Sequence, residues 1–193
     1  YKEDIIYKEI KNEDFIIENY INNYSENDYP EVLEKDANIN NIYALSDIRK
    51  NIISWYSFKE DANVLEIGSE LGQITRALCQ KTRNVVSVEF SKKRAEAMSK
   101  RLEDLNNLEI IVGNLEDISF QFKFDYIVMI GSFEYIPSFY KNEKPYINLL
   151  KFLKTLLKEN GKFLIAVDNK FGMRSWSIID DNPNSLRYDF FNK

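Results

Sequence analysis

Short apolar runs recur from the middle of the chain to its C-terminal part, and longer mixed segments separate them. Most of the runs are rich in β-branched residues and lack alternation between apolar and polar side chains, which is typical of strands buried on both faces of a parallel sheet. We predict five strands, at Val64–Ile67, Val85–Glu89, Leu108–Val112, Tyr126–Ile130 and Phe163–Val167.

Helical periodicity occupies most of the segments between these strands, and Ser46 and Pro145 stand where a helix would begin. The Asn160-Gly161 pair indicates the end of the last helix. Upstream, Tyr29-Pro30 and the polar run 34–41 indicate a connection. We predict helices at Glu13–Tyr24, Asp47–Ser57, Thr75–Lys81, Lys92–Leu105 and Pro145–Lys158.

Strands that alternate with helices predict an α/β fold of the Rossmann-like, doubly wound kind, with a mainly parallel sheet and helices on both faces. We interpret residues 1–42, which are rich in Asn and Glu, as an N-terminal accessory segment, and residues 43–193 as the sheet domain. Ligands in such folds bind beyond the carboxyl ends of the strands. The residues that follow each strand are therefore the first candidates for a functional site.

The composition excludes several kinds of site. The 193 residues include no histidine, which removes the catalytic triads and metal sites that depend on imidazole, and we expect no metal site. A net charge of -5 argues against a nucleic-acid partner held by electrostatics. The single cysteine, Cys79, lacks a second cysteine for a disulfide and fits a buried helix position. The lone cysteine fits a cytosolic setting, and no apolar run is long enough to span a membrane, so we expect a cytoplasmic protein.

The first candidate motif follows the first strand. Glu66 lies near the strand end, and Gly68 and Gly72 come after it. Glycine permits close backbone approach to a ligand, and it would let the next helix begin tightly against that ligand. Taken alone, the motif fits an ordinary strand-to-helix turn equally well.

The second candidate motif is the carboxylate at the end of the second strand. Glu89 lies roughly 20 residues after Gly68, where an acidic residue binds the ribose hydroxyls in dinucleotide folds. A glutamate exposed on the surface is the alternative. Glu89 does not by itself separate an adenosyl ligand from NAD, but the glycine spacing disfavours NAD. The NAD fingerprint would need glycine at positions 70 and 73, where this chain has Glu70 and Gln73.

On these residues the chain resembles the class I S-adenosylmethionine-dependent methyltransferases, over roughly residues 43–176. The family's first motif is an acidic residue followed by three alternating glycines; Glu66, Gly68 and Gly72 match it, and Glu70 replaces the middle glycine. The resemblance implies a methyltransferase with S-adenosylmethionine as its cofactor. It also implies that Gly68 lines the methionine part of that cofactor and that Glu89 binds its ribose.

Two further segments resemble motifs of the same family. The segment Gly113–Asp117 resembles the adenine loop, which implies contacts from Asn114 and the Leu115 backbone, although an asparagine that closes a turn explains Asn114 as well. The segment Phe124–Ile136 resembles the fourth-strand motif, which implies cofactor contacts at its glycine and serine. The cofactor-binding residues that we predict are Glu66, Gly68, Gly72, Glu89, Asn114, Leu115, Gly131 and Ser132.

A narrower resemblance concerns Leu45–Ile52 and Asp168–Gly172, which look like methyltransferase domains found beside bacterial glycosyltransferases. It implies a sugar or surface-glycan acceptor and neighbouring domains in a longer chain. It also makes Arg49 and Asn169 candidate site residues. A solvated helix charge and a loop residue are the plainer interpretations of these two.

Methyl transfer from a sulfonium requires mainly that the acceptor be aligned with the methyl carbon and the sulfur. A hydroxyl acceptor must also lose a proton. Without histidine, the candidate catalytic bases are Glu134 and Asp168. Glu70 is a candidate to face the cationic sulfonium or the amine of the cofactor.

The alternative from another class is a non-catalytic cofactor-binding or scaffold domain of a larger glycosyltransferase-associated protein. Complete folds of this kind add an antiparallel pair of strands after the fifth strand, and these strands shape the acceptor site. The residues after Val167 are loop-like around Asn182-Pro183-Asn184. We therefore expect the C-terminal strands to be missing from this fragment, which could be inactive by itself.

Overall fold

The computed structural model describes residues 11–139 and 143–167, and its centre is a five-stranded sheet. All neighbouring strands are parallel, in the order β3-β2-β1-β4-β5. The predicted α/β sheet is confirmed. The chain leaves β1 toward β2 on one side and later returns to β4 on the other, so the strand order reverses beside β1. The strands are β1 (Asn63–Ile67), β2 (Asn84–Glu89), β3 (Leu108–Val112), β4 (Phe124–Ile130) and β5 (Leu157–Ala166).

Helices precede the sheet and connect its strands. Short 3₁₀ helices lie at Glu26–Asp28, Asp47–Lys50, Leu115–Asp117 and Phe133–Tyr135. The α-helices of the described residues are α1 (Lys11–Asn23), α2 (Tyr29–Lys35), α3 (Ile39–Leu45), α4 (Asn51–Ser54), α5 (Thr75–Lys81), α6 (Lys92–Arg101), α7 (Ile136–Phe139) and α8 (Pro145–Leu156). None of these helices has the length and apolar character needed to cross a membrane.

Most of the connection predicted at Tyr29-Pro30 and residues 34–41 is wrong, because α2 and α3 occupy all of it except residues 36–38. Pro30 lies in the first turn of α2, where its missing N–H costs no hydrogen bond. Asn38 caps α3, and its side-chain oxygen accepts the backbone N–H groups of Asn40 and Asn41 at 3.1 and 2.9 Å. Proline and asparagine here start helices, which is the other role that these residue types have at helix ends.

Two apolar clusters cover the two faces of the sheet. On one face, Val64 and Val128 pack with Leu78 of α5, and the buried Cys79 lies in the same cluster. Burial raises the pKa of the Cys79 thiol to about 12, so this cysteine stays protonated and unreactive. On the other face, alternate strand residues pack against α8. That cluster includes Leu65, Val86, Ile127, Met129, Leu149 and Leu153.

The predicted helix end at Asn160-Gly161 is also wrong, because β5 begins directly after α8. Phe124 pairs with Leu157 and Tyr126 pairs with Lys162, so β5 carries extra residues between these pairs. A Cβ on Gly161 would lie 3.0 Å from the backbone oxygen of Phe124. Glycine is needed here for close contact within the sheet and not as a helix cap.

The described part of the N-terminal segment packs on α6 and on the loop after β1. Its apolar cluster includes Ile17, Ile21, Tyr29, Val32, Ala44 and Leu45, together with Leu71 and Ala97. The Arg101 side chain, 2% exposed, pairs with Glu26 at 2.6 Å. Arg101 Nη1 also donates to the backbone oxygens of Ala44 and Leu71, at 2.8 and 3.3 Å. One guanidinium thus joins the N-terminal helices to the loop after β1.

Candidate functional site

Backbone hydrogen bonds join the carboxyl ends of the sheet strands. The Gly68 N–H donates to the Val88 oxygen at 3.0 Å, and the Gly113 N–H donates to the Glu89 oxygen at 3.2 Å. The Gly131 N–H donates to the oxygen of the last β5 residue at 3.0 Å. The residues predicted from separate motifs therefore lie along one edge of the sheet.

Glu89 is a buried carboxylate at the end of β2, only 3% exposed. One of its oxygens accepts the Glu70 N–H and the other accepts the Ser91 N–H, both at 2.9 Å. Burial raises the pKa of Glu89, and these backbone hydrogen bonds oppose that shift. Each oxygen keeps a further lone-pair site that can accept a hydroxyl group.

Gly68 lies where the loop after β1 meets the end of β4. Its φ of 73° is in the left-handed region, and a Cβ here would lie 2.6 Å from the Cβ of Ser132. The Ser132 hydroxyl donates to the Ile67 oxygen at 2.8 Å. Only glycine allows this turn to approach the end of β4 so closely.

Glu70 is the residue that departs from the glycine pattern, and it is the one non-glycine residue with a positive φ, 54°, in the described part of the chain. Its Oε2 pairs with Arg49 Nη1 at 3.1 Å. Arg49 lies in the 3₁₀ helix that precedes α4, so the predicted helix Asp47–Ser57 is divided into two short helices. The plainer interpretation of Arg49 as a fully solvated charge is wrong, because its side chain is only 16% exposed.

A cleft opens between the loop after β1, the β4 end and Arg49. The loop contributes Ser69, whose buried hydroxyl has no hydrogen-bond partner among residues 11–139 and 143–167. Ser69 could not be predicted from the sequence, because nothing in its spacing distinguishes it from other loop residues. The cleft is lined by Arg49, Glu66, Ile67, Gly68, Ser69, Glu70, Gln73, Ile74, Val128 and Ile130.

Glu66 is one of the cleft-lining residues and is 5% exposed. Its Oε2 accepts the hydroxyls of Thr75 at 2.7 Å and Ser87 at 3.1 Å. Burial raises the pKa of Glu66 from 4.5 to about 7, although the two hydroxyl hydrogen bonds lower it. The folded chain therefore favours the protonated form of this carboxyl group.

We expect the free energy of unfolding to fall as the pH rises from about 4.5 to about 7, because the unfolded chain releases the Glu66 proton at a lower pH than the folded chain. A Glu66→Gln variant keeps an acceptor for both hydroxyls and has no proton to lose. Its fall should be smaller by up to about 3 kcal/mol, with Glu89 leaving a residual slope. Urea unfolding between pH 5 and pH 8 measures this, with the exposed Glu103→Gln as control. Identical profiles for Glu66→Gln and the wild type would contradict it.

Of the predicted cofactor-binding residues, Glu66 and Gly68 line the cleft, and the others are not among its lining residues. Asn114 is exposed and its backbone oxygen accepts the Asp117 N–H at 3.0 Å, while the Leu115 side chain is buried in the core. Gly72 has a φ of 78°, and a Cβ there would lie 2.7 Å from Met98 Cγ on α6. Glycine at 72 is thus required by helix packing, and its contact with a cofactor stays a prediction.

Of the two candidate bases, only Glu134 lies in the part of the chain that the structure describes. Glu134 lies in the 3₁₀ helix just after the end of β4, and its backbone oxygen accepts the Tyr146 hydroxyl at 3.4 Å. Burial raises the pKa of Tyr146, and the Glu134 charge adds to this shift. Asp168 and the candidate Asn169 lie outside the described residues.

Residues 65–163 match the family described as a methyltransferase domain. The chain belongs to this family. Among curated relatives, it is 29% identical over 84 residues to ribosomal RNA small subunit methyltransferase A of Syntrophus aciditrophicus, covering 44% of this chain and 28% of that protein. It is 26% identical over 123 residues to malonyl-(acyl-carrier protein) O-methyltransferase of Priestia megaterium, covering 59% of this chain and 44% of that protein. The chain thus spans less than half the length of these methyltransferases.

Solved structures show the same fold. Phosphoethanolamine N-methyltransferase 1 of Haemonchus contortus, in complex with phosphoethanolamine and S-adenosylhomocysteine, superimposes with a TM-score of 0.57 at 15% identity, over 78% of this chain and 32% of that one. The glycopeptide N-methyltransferase MtfA gives a TM-score of 0.52 at 19% identity, over 64% and 53% of the two chains. The methyltransferase domain therefore has the Rossmann-like fold of this family.

Proposed function

We propose that this methyltransferase domain binds S-adenosylmethionine beyond the carboxyl ends of β1, β2 and β4 and transfers its methyl group to a hydroxyl. The observation that carries the proposal is the buried Glu89 carboxylate, which two backbone N–H groups orient beside the turn at Gly68. An oriented carboxylate accepts hydrogen bonds from the two neighbouring hydroxyls of a ribose. Membership of the methyltransferase domain family supports this cofactor.

The residues of the cleft fit the cofactor in two respects. Gly68 lines the cleft with backbone alone, and the buried Ser69 hydroxyl beside it has no partner among the described residues. In our proposal Gly68 and Ser69 face the methionine part, Glu89 the ribose and Asn114 the adenine. The cofactor supplies the electrophilic methyl group on its sulfonium.

Gly131 and Ser132 place the end of β4 beside the Gly68 turn. This end of β4 is where we propose that the acceptor meets the methyl group. The protein's contribution to the reaction is then alignment of the acceptor oxygen with the methyl carbon, in a site from which the apolar side chains of Val128 and Ile130 help to exclude water.

For the acceptor we propose a sugar or surface-glycan hydroxyl, on the support of the resemblance carried by Leu45–Ile52 and Asp168–Gly172. A hydroxyl acceptor has to lose its proton, and Glu134 is the carboxylate that follows β4 most closely. The similarity to a ribosomal RNA methyltransferase suggests another class of acceptor, a nucleic acid. The net charge of -5 weighs against a nucleic-acid acceptor for this chain.

Calorimetric titration of the purified chain tests the cofactor proposal. We expect S-adenosylmethionine and S-adenosylhomocysteine to bind with dissociation constants in the micromolar range, which corresponds to a binding free energy of about -8 kcal/mol. NAD should not bind, because Glu70 and Gln73 stand where its fingerprint requires glycines. Binding of NAD without binding of either adenosyl ligand would overturn the proposal.

A further inference from the structure

Arg49 and Glu70 form an ion pair across the cleft, with Nη1 and Oε2 separated by 3.1 Å. The guanidinium lies 5.8 Å from the Tyr43 ring centroid, and its Nη2 is 3.5 Å from the position of a Cβ on Gly131. Arg49 thus stands between the N-terminal helices and the end of β4. Both members of the pair line the cleft.

Glu70 has a backbone conformation that favours glycine. Its φ of 54° lies in the left-handed region, where a residue with a Cβ is strained and glycine is not. The Glu70 N–H bonds to Glu89, and a glycine would supply that same N–H without strain. What glycine would not supply is the carboxylate, which faces Arg49 and lies 3.5 Å from Gln73 Nε2.

We infer that Arg49 and Glu70 together recognise the amino-acid end of the cofactor, with Arg49 binding its carboxylate and Glu70 binding its ammonium group. This inference rests on the proposed function. A free amino-acid end carries one negative and one positive charge, which match an arginine and a glutamate in sign and number. On binding, one protein ion pair is exchanged for two charge-assisted hydrogen-bonded contacts, and the net charge of the cleft does not change.

Ser69 is an independent observation at the same place. Its hydroxyl is buried in the cleft between Gly68 and Glu70 and has no partner among the residues that the structure describes. A buried hydroxyl without a partner costs free energy that a ligand oxygen or nitrogen can recover. The polar groups of this part of the cleft are therefore arranged for a polar ligand end, whereas Val128 and Ile130 are apolar.

The test compares two ligands that differ only in this end. S-adenosylhomocysteine carries the amino acid, and 5′-methylthioadenosine has the same adenosine and sulfur without it. Dissociation constants of both ligands are measured by calorimetry for the wild type, Arg49→Met, Glu70→Gln and Glu70→Gly. We expect Arg49→Met to weaken the binding of S-adenosylhomocysteine by about 10- to 100-fold. The affinity for 5′-methylthioadenosine should stay within about threefold of the wild-type value.

Glu70→Gly protects the test against misfolding, because the strain that glycine relieves at this φ offsets the loss of the ion pair with Arg49, and a thermal unfolding curve establishes that the variant is folded. It should still lose about tenfold in affinity for S-adenosylhomocysteine alone. Lys50→Met is the matched control, since Lys50 is the neighbouring cation and pairs with Asp47. Its affinities for both ligands should equal those of the wild type.

The outcomes separate the inference from the function on which it rests. If the wild type binds neither ligand, the proposed function fails and the inference fails with it. If the wild type binds both ligands and Arg49→Met and Glu70→Gly bind each of them as tightly as the wild type does, the inference alone is overturned. Equal weakening of both ligands overturns it too, because the pair would then act by shaping the cleft and not by recognising the amino acid.

Discussion

A Glu89→Gln variant will bind S-adenosylmethionine about 100-fold more weakly than the wild-type chain. Both Glu89 oxygens accept a backbone N–H, from Glu70 and from Ser91, at 2.9 Å. A glutamine amide presents one NH₂ group, which would meet one of these donors with another donor. The variant thus loses the negative charge that we propose binds the ribose, and it also loses one of the two backbone hydrogen bonds that orient the side chain.

Calorimetric titration measures this loss, and a thermal unfolding curve establishes that the variant is folded. Glu109→Gln is the matched control: Glu109 is an exposed glutamate of β3, and its neighbour across the strand pair is Val86 of β2. The control should bind like the wild type. Retention of wild-type affinity by a folded Glu89→Gln variant would remove the ribose contact from the proposed function.

Replacing Arg101 with methionine will lower the free energy of unfolding by about 3 kcal/mol. The change leaves the oxygens of Ala44 and Leu71 without their donor and takes one of two cations from Glu26. The loss falls at the lower end of the range for a broken buried ion pair, because Glu26 keeps its second partner, Arg76.

Urea unfolding of Arg101→Met and of Arg83→Met gives the comparison. Arg83 is exposed, so its replacement should change the free energy of unfolding by less than about 0.5 kcal/mol. Arg101→Met also removes the contact between the guanidinium and the Tyr29 ring, whose centroid lies 5.2 Å away, and Arg83→Met leaves this contact in place. Similar losses for the two variants would show that the buried network contributes little to stability.

The sheet could be predicted well because its strands are short, apolar and rich in β-branched residues. The predicted third strand, Leu108–Val112, has the observed bounds, and the first, second and fourth differ only at their starts. The start of β5 could not be predicted. Lys158 to Gly161 have the composition of a turn, and they form the irregular part of β5, between the residues that pair with Phe124 and Tyr126.

The glycine turn and the carboxylate at the end of β2 could be predicted because each follows a strand at a fixed spacing. The structure brings Gly68 and Glu89 together through a loop of a few residues. The pairing of Arg49 with Glu70 could not be predicted from the sequence, because the two residues belong to segments that meet only in the folded chain. Periodicity and spacing describe single elements, and this contact depends on how two of them are placed.

Arg101 links the Ala44 and Leu71 oxygens, and its environment limits where a shortened protein can begin and still fold. A shortened protein that began at residue 43 would lack Glu26 and Tyr29, and it would expose an arginine that is 2% accessible in the longer chain. Arg101 would keep its contacts with the Ala44 and Leu71 oxygens but would lose the charge of Glu26. We expect the smallest autonomous folding unit to start upstream of Glu26, so an evolutionary boundary placed near residue 43 would not be a thermodynamic one.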